Sequence, residues 1–209
     1  MTGLLPEVVV TPRLRLEPRV PANVDVYELY DVCAADGGEA MSEVTAYLPW
    51  SPHETIKETR DFLERGREMW EEDGDKADYV IRPREGEDGA GEIAGFGGLT
   101  IAWDRKSAEL GIWLRKPFWG RGYSGERAIA LSTLAFDRLG LEVVQVTVHR
   151  DNEKSRRAVE KYVARMGGRY DGLFRNRMVL GDDVADEHHF SVSAEEWEEA
   201  DVDLDVRFE

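Results

Sequence analysis

The sequence predicts one α+β domain. Three observations carry this reading. Short runs of alternating or β-branched residues recur along the chain, and amphipathic segments with clear start and stop signals lie between them. No linker, internal repeat or change of composition divides the 209 residues. A hydrophobic fraction of 42% with 10% aromatics suffices for a proper core and excludes the disordered class. No apolar run approaches the roughly 18–20 residues that span a bilayer, and the opening MTGLLPEVVV lacks a basic-then-apolar leader pattern, so a soluble, cytoplasmic protein is expected. Cys33 is the only cysteine, which excludes an internal disulfide, and no Cys/His cluster suggests a metal.

The 27 basic against 43 acidic residues leave a formal charge of −16, which repels phosphate backbones and excludes a general nucleic-acid binder. The acids are spread along the chain (Glu54, Glu58, Asp61, Glu64, Glu68, Glu71, Glu72, Asp73), and only six residues are Lys. That distribution reads as adaptation to molar salt, where self-repulsion is screened, ahead of steering cationic substrates.

In chain order, Arg13–Glu17 alternates polar and apolar residues, as a half-buried strand does. Asn23 to about Asp36 reads as a helix stopped by Gly37-Gly38. Ser51-Pro52-His53-Glu54 has the signature of a helix start, and the helix runs to Glu72 with Ile56, Phe62, Leu63 and Trp70 on one side. Strands are expected at Tyr79–Arg82, Ile93–Trp103 and Ser107–Leu114, with a charged turn at Arg84–Gly91. A Gly-rich loop, Lys116–Gly125, leads into an apolar helix, Glu126–Leu139, ended by Gly140. Leu141–His149 is a β-branched run without a breaker, hence a buried strand. Asn152 caps an amphipathic helix to Met166, closed by Gly167-Gly168. Leu173–Leu180 and His188–Val192 are strands around the acidic turn Gly181-Asp182-Asp183, and Ser193–Glu196 opens a last helix with a capping box.

The loop Trp119-Gly120-Arg121-Gly122-Tyr123-Ser124-Gly125 lies between a strand and a helix. Glycines let the backbone approach a ligand, and the helix N-terminus suits a phosphate. Gly120, Gly122 and Gly125 also satisfy G-x-G-x-x-G, but five residues including Pro117 separate them from the strand, and a dinucleotide loop follows its strand at once. A nicotinamide-dinucleotide domain is therefore the weaker reading.

The stretch from Ala108 to Ser155 resembles the Gcn5-related N-acetyltransferase (GNAT) superfamily, in its RimJ/RimL-like branch. The residues that carry the resemblance are Glu109–Leu114, Pro117–Tyr123, Phe136–Leu141 and Asp151-Asn152 with Ser155. It extends outward to Thr11–Leu16, Tyr47–Ser51 and Glu195–Trp197. The resemblance implies a mixed, mostly antiparallel twisted sheet flanked by helices and splayed between its fourth and fifth strands, here Ser107–Leu114 and Leu141–His149. Acetyl-CoA would lie in the cleft. Ile112, Trp113 and Leu114 would pair with the pantetheine amides as an added strand does. Trp119 to Ser124 map onto the family's phosphate cradle, and the N–H groups of Arg121, Gly122, Tyr123, Ser124 and Gly125 would receive the pyrophosphate, with the Arg121 side chain adding charge. Two positions depart from the family's pattern, Ser124 and Gly125. The segment from Ser155 to Gly167 is about four residues longer than usual, close to one turn of about 3.6 residues, so the helix lengthens without rotating its face. The branch also implies a homodimer.

The reaction so implied is direct attack of a neutral amine on a thioester. It needs a proton acceptor and a group that answers the leaving thiolate. Many relatives place a Tyr seven residues after the Asn; here that position is Val159, and Tyr162 lies roughly 60° off its face. In the RimJ/RimL-like branch a Ser three residues after the Asn serves, which is Ser155, with Asn152 at the cofactor; both residues also suit plain helix capping. Glu109 is the leading base, His149 the second and Asp151 a distant third. An α-amine near pKa 8 is about a tenth neutral at pH 7 and a lysine about 0.04%, so acetylating lysine costs about 3 kcal/mol more in deprotonation. The acceptor class expected is a protein N-terminal α-amine or a small primary amine, with Tyr47, Trp50 and Trp103 along its wall. The alternative from another class is a non-catalytic acetyl-CoA-binding module.

Overall fold

The computed structural model describes residues 3–35, 41–72, 74–181 and 183–209. Among them nine strands form one sheet: β1 (Val9–Val10), β2 (Leu14–Pro18), β3 (Lys76–Pro83), β4 (Gly95–Ala102), β5 (Ser107–Leu114), β6 (Val143–His149), β7 (Arg169–Leu180), β8 (Asp183–Ser193) and β9 (Arg207–Phe208). Their order is β7-β8-β6-β5-β4-β3-β2-β1-β9. Six α-helices flank it: α1 (Val26–Cys33), α2 (Met41–Thr45), α3 (Ile56–Glu72), α4 (Tyr123–Thr133), α5 (Glu153–Arg165) and α6 (Ala194–Ala200). The sheet is the mixed, mostly antiparallel one expected.

Every described pairing is antiparallel except β5 with β6. A parallel neighbour requires a crossover, and α4 is that crossover. Their register holds for Ser107↔Val143, Ala108↔Val144 and Glu109↔Gln145. Beyond those pairs β5 continues to Leu114 beside β4, and β6 continues to His149 beside β8. The two strands therefore diverge into a wedge. In chain order they are the fifth and sixth strands, because the two-residue β1 precedes them.

Alternation along the strands divides the core between the two faces. Leu14, Leu16, Leu99, Leu110, Val144 and Val146 pack beneath α4 and α5, which contribute Ile129, Leu131, Val159 and Val163. On the other face Val80 and Phe96 pack against Leu29 and Val32 of α1 and Leu63 of α3. Each such fully buried aliphatic side chain contributes roughly 1.5–3 kcal/mol relative to exposure.

Several element boundaries differ from expectation: α1 opens at Val26 on an Asp25 cap rather than at Asn23, and β3 opens at Lys76 rather than Tyr79. Helix α3 begins at Ile56 rather than at Ser51, because His53 is drawn into a bridge with Ala34, its N–H donating to Cys33 O at 2.9 Å. The capping pattern that operates is the next one along: Glu54 N–H donates to the Glu58 carboxylate at 3.0 Å, and Thr55 Oγ1 donates to it at 3.0 Å. The apolar helix after the glycine loop starts at Tyr123, and a π-helical turn, Leu134–Arg138, follows α4 directly. Strands β7 and β8 are longer than the two cores expected, reaching Arg169 and Asp183. The helix stop expected at Gly37-Gly38, with Asp36, lies outside the described residues, as do Asp73 and Asp182. Helix α5 follows Asn152 as expected, and α6 opens with the capping box of Ser193 and Glu196.

One buried carboxylate fixes the start of α4 to the first strands. Glu126, 7% exposed, accepts from Thr11 Oγ1 at 2.6 Å, from Arg13 N–H at 2.9 Å and from Arg13 Nε at 2.6 Å. Arg13 Nη1 donates onward to Arg121 O at 2.9 Å. Because Arg13 keeps 37% of its side-chain exposure, water takes up part of the loss when the carboxylate is removed. Glu126→Ala should cost about 2 kcal/mol, read as a lower midpoint in urea at unchanged slope.

Candidate active site

The backbone of β5 supplies one wall of the wedge. Arg115 N–H donates to Ala94 O at 2.8 Å on the β4 side. By alternation the peptide groups of Ile112 and Leu114 face the other way, toward the diverging β6. The Leu114 carbonyl is met there by Trp119 Nε1–H at 2.7 Å. Ile112 thus presents a strand edge to the wedge, and Trp113 turns its ring to the opposite face, against Phe96 at 5.4 Å and Trp50 at 5.2 Å.

The open end of the wedge is the N-terminus of α4. Gly120 and Gly122 have φ of 76° and 81°, a region that costs an L-residue roughly 1–2 kcal/mol, which is why glycine stands at both. Gly125 and Glu126 N–H both donate to Gly122 O at 3.1 Å, so the Gly125 N–H is spent in the first turn. The N–H groups of Arg121, Gly122, Tyr123 and Ser124 find no acceptor among the described residues. They are the orphan donors of a helix start, aimed as an anion requires. The Arg121 side chain is committed elsewhere: Nη2 lies 2.9 Å from Asp88 Oδ2, and Nη1 donates to Asp88 O at 2.8 Å. Tyr123 is buried and donates its hydroxyl to Glu87 at 2.7 Å, burial pushing the phenol above its ordinary range. The 84–91 turn therefore props the glycine loop from behind.

Glu109 and His149 share the face opposite α4, because Leu110, Val146 and Val148 face the α4 core. Glu109 is exposed and accepts from Thr147 Oγ1 of β6 at 2.9 Å. Its carboxylate is thus tethered across the apex of the wedge. His149 is buried, its ring centre 4.7 Å from that of Tyr47 with the planes tilted by 33°, and its Nδ1 accepts from Asp151 N–H at 3.1 Å. A neutral ring held so carries its proton on Nε2 and has no lone pair there to take another. Asn152 caps α5, its Oδ1 accepting from Ser155 N–H at 3.1 Å, and Ser155 is half-buried in the first turn. Trp103 stands apart in the short turn between β4 and β5. A cavity of about 510 Å³ opens beside His149, lined by Ala46, Asp151, Asp183 and Asp186 among others. The cavity's Arg150 is already paired with Asp186 at 3.0 Å and Asp151 at 3.6 Å.

Sequence reasoning passed over three features. Thr147 lies in a run read only as buried strand. Glu43 of α2 joins both walls of the wedge, 2.6 Å from Lys116 after β5 and 2.8 Å from Lys154 in α5. Those two ammonium groups pull its carboxyl down to about 2. The third is Arg127, a charge inside an apolar helix, whose signal was legible as a basic residue among Ala, Ile and Leu.

Comparison with known proteins bears on the family and the fold. A curated protein of Bacillus subtilis (strain 168), "Putative ribosomal N-acetyltransferase YdaF", is 34% identical over 98 residues, 44% of this chain and 49% of that protein. The aligned segment thus spans about half the length of that relative. The crystal structure of a GCN5-related N-acetyltransferase from Brucella melitensis superposes with a TM-score of 0.75 at 23% identity, covering 96% of this chain and 87% of the other. The microcin C7 self-immunity acetyltransferase MccE, solved with acetyl-CoA and AMP, gives 0.68 at 18% identity over 87% and 93%. At these identities the two structures bear on the fold. The profile of the acetyltransferase (GNAT) domain matches residues 13–164, and the chain belongs to the GNAT acetyltransferase family.

Proposed function

We propose that this protein transfers an acetyl group from acetyl-CoA to a primary amine, a protein N-terminal α-amine or a small amine. The observation that carries the reading is the wedge itself. Parallel pairing stops at Glu109 and Gln145, which leaves a free strand edge at Ile112 that runs from a tethered carboxylate toward four orphan N–H groups. The set fits the cofactor at both ends: a strand edge pairs with amides, and helix-start donors pair with a pyrophosphate. Bound there, acetyl-CoA supplies an activated acyl carbonyl.

The chain's own groups do the rest. Ile112, flanked by Trp113 and Leu114, offers its backbone to the pantetheine arm. Arg121, Gly122, Tyr123 and Ser124 offer their N–H groups to the phosphates, and the indole of Trp119 closes the loop on Leu114 O. Glu109 Oε takes the proton from the acceptor ammonium, its free carboxylate edge held in place by Thr147. Ser155 Oγ, beside the Asn152 cap, holds the proton for the departing sulfur. The orientation of His149 favours Glu109 over it as base. The cavity beside His149 carries more carboxylates than cations, which supports an acceptor that arrives as an ammonium ion. The ribosomal N-acetyltransferase name of the Bacillus relative supports the protein arm of this reading and its RimJ/RimL-like branch.

Calorimetric titration in molar KCl, chosen to screen a formal charge of −16, tests the binding half. Acetyl-CoA and desulfo-CoA should bind and NAD should not; a folded protein that ignores acetyl-CoA sinks the reading. Glu109→Gln should lower kcat with N-terminal peptides by at least about 100-fold while leaving acetyl-CoA affinity unchanged. Ser155→Ala should lower kcat by about tenfold. If both variants turn over like wild type, the protein is a binding module or its proton chemistry lies elsewhere. Gly122→Ala, strained by its φ of 81°, should weaken acetyl-CoA binding by about tenfold without altering discrimination against NAD.

A further inference from the structure

Arg127, the fifth residue of α4, has 0% exposure. Its Nε, Nη1 and Nη2 are all buried without a hydrogen-bond partner among the described residues. Among the described residues, a second deeply buried arginine behaves differently. Arg19, 3% exposed, donates Nε to Asp78 at 2.8 Å and Nη1 to Phe62 O, and its guanidinium lies 3.8 Å from the Phe62 ring centre. A guanidinium left unpaired in an apolar core is strongly unfavourable, and ordinary packing supplies no reason to keep one.

A second orphan adjoins it. The Tyr162 hydroxyl of α5 is also buried without a hydrogen-bond partner among the described residues. The two groups feel each other: burial pulls the Arg127 guanidinium down to about 10 and pushes the Tyr162 phenol up to about 12, and in each case the other residue opposes the shift.

Their position is fixed by the glycines around them. A Cβ built on Gly97 of β4 would lie 3.3 Å from Arg127 Nε and 3.4 Å from Ile112 Cγ1. The guanidinium therefore rests on the sheet beside Ile112, in the half of β5 that has already left β6. A Cβ on Gly125 would lie 3.4 Å from Tyr162 Cβ, so the tyrosine packs on the first turn of α4. Helix α4 lies against β2, β4 and β5, and α5 packs alongside it against β6, β7 and β8, so the seam between the two helices runs over the gap the strands leave. Both orphans stand in the floor of the wedge. The guanidinium is a fixed cation that can only donate, and the Tyr162 hydroxyl beside it can donate as well, so the chemistry the pair answers is an anion.

We propose that Arg127, with Tyr162 at its side, is an anion-compensating element in the floor of the cleft: a cation kept unpaired in the free protein and paired by the negative charge that CoA brings. The inference rests on the acetyl-CoA reading above and adds a residue outside the glycine loop to it. CoA offers that charge from two sources, its phosphates and its sulfur end once the acyl group has left.

The test uses the full chain and Arg127→Met, an apolar side chain of similar length, with Arg127→Lys as the variant that keeps the charge. Thermal melting without ligand and calorimetric titration with CoA and with desulfo-CoA are the readouts. Arg127→Met should melt at or above the wild-type temperature, because an uncompensated charge has gone, yet bind CoA at least tenfold more weakly. Arg127→Lys should stay within about threefold of wild type for CoA. An equal loss for desulfo-CoA assigns the charge to the phosphates, and a loss confined to CoA assigns it to the sulfur. Wild-type affinity in Arg127→Met overturns the proposal. So does a melting temperature well below wild type in Arg127→Met but not in Arg127→Lys, since the cation would then be serving the fold. Failure of the wild type itself to bind CoA is a separate result and removes the acetyl-CoA reading first.

Discussion

Parallel pairing between β5 and β6 ends after three residue pairs, and the functional half of the molecule is organised by that ending. Twist drives neighbouring strands apart unless hydrogen bonds hold them together. Here each strand has a better partner on its far side, β4 for β5 and β8 for β6. What remains between them is a pair of strand edges inside a sheet, normally a hazard that proteins cover or charge. Helices α4 and α5 meet over one face of the gap. The other face is left to polar side chains, Glu109 and Thr147 nearest the apex and His149 at the far end of β6.

Rigidity around the gap comes from contacts that leave the wedge itself alone. The Glu126 carboxylate ties α4 to the turn before β2 through Thr11 and Arg13. Tyr123 and Arg121 lean on Glu87 and Asp88 of the turn after β3. The side chains of the glycine loop are thus consumed in holding it, and its backbone N–H groups are left for a ligand. Donors fixed before a charge arrives need no reorganisation when it does, the condition under which electrostatic stabilisation is strongest.

Much of this was legible in the sequence, and the failures have physical reasons. Alternation and capping located β2, β5, β6, α5 and α6, because each is specified within its own few residues. The start of α3 was misplaced because two capping patterns follow one another, Ser51–Glu54 and Thr55–Glu58, and a bridge from His53 to Ala34 decides between them. Helix α2 and the short strands β1 and β9 were missed, since two to five residues carry too little periodicity. At the site, glycines and a strand-end carboxylate announce themselves by type. Pairing does not: that Arg121 is occupied by Asp88, that the Gly125 N–H is taken by Gly122 O, or that Glu109 is tethered by Thr147 depends on residues distant along the chain. Arg127 was visible as an anomaly, but only the fold shows that no acceptor among the described residues reaches it.

The bridge of Glu43 to Lys116 and Lys154 holds two of the chain's six lysines. Such an arrangement is a resident counter-ion built into the protein. An anion that approaches these ammonium groups exchanges with a carboxylate already in place and frees few ions from solution. Since the steep loss of affinity with salt that marks phosphate binding comes from ion release, contacts made there would depend only weakly on ionic strength.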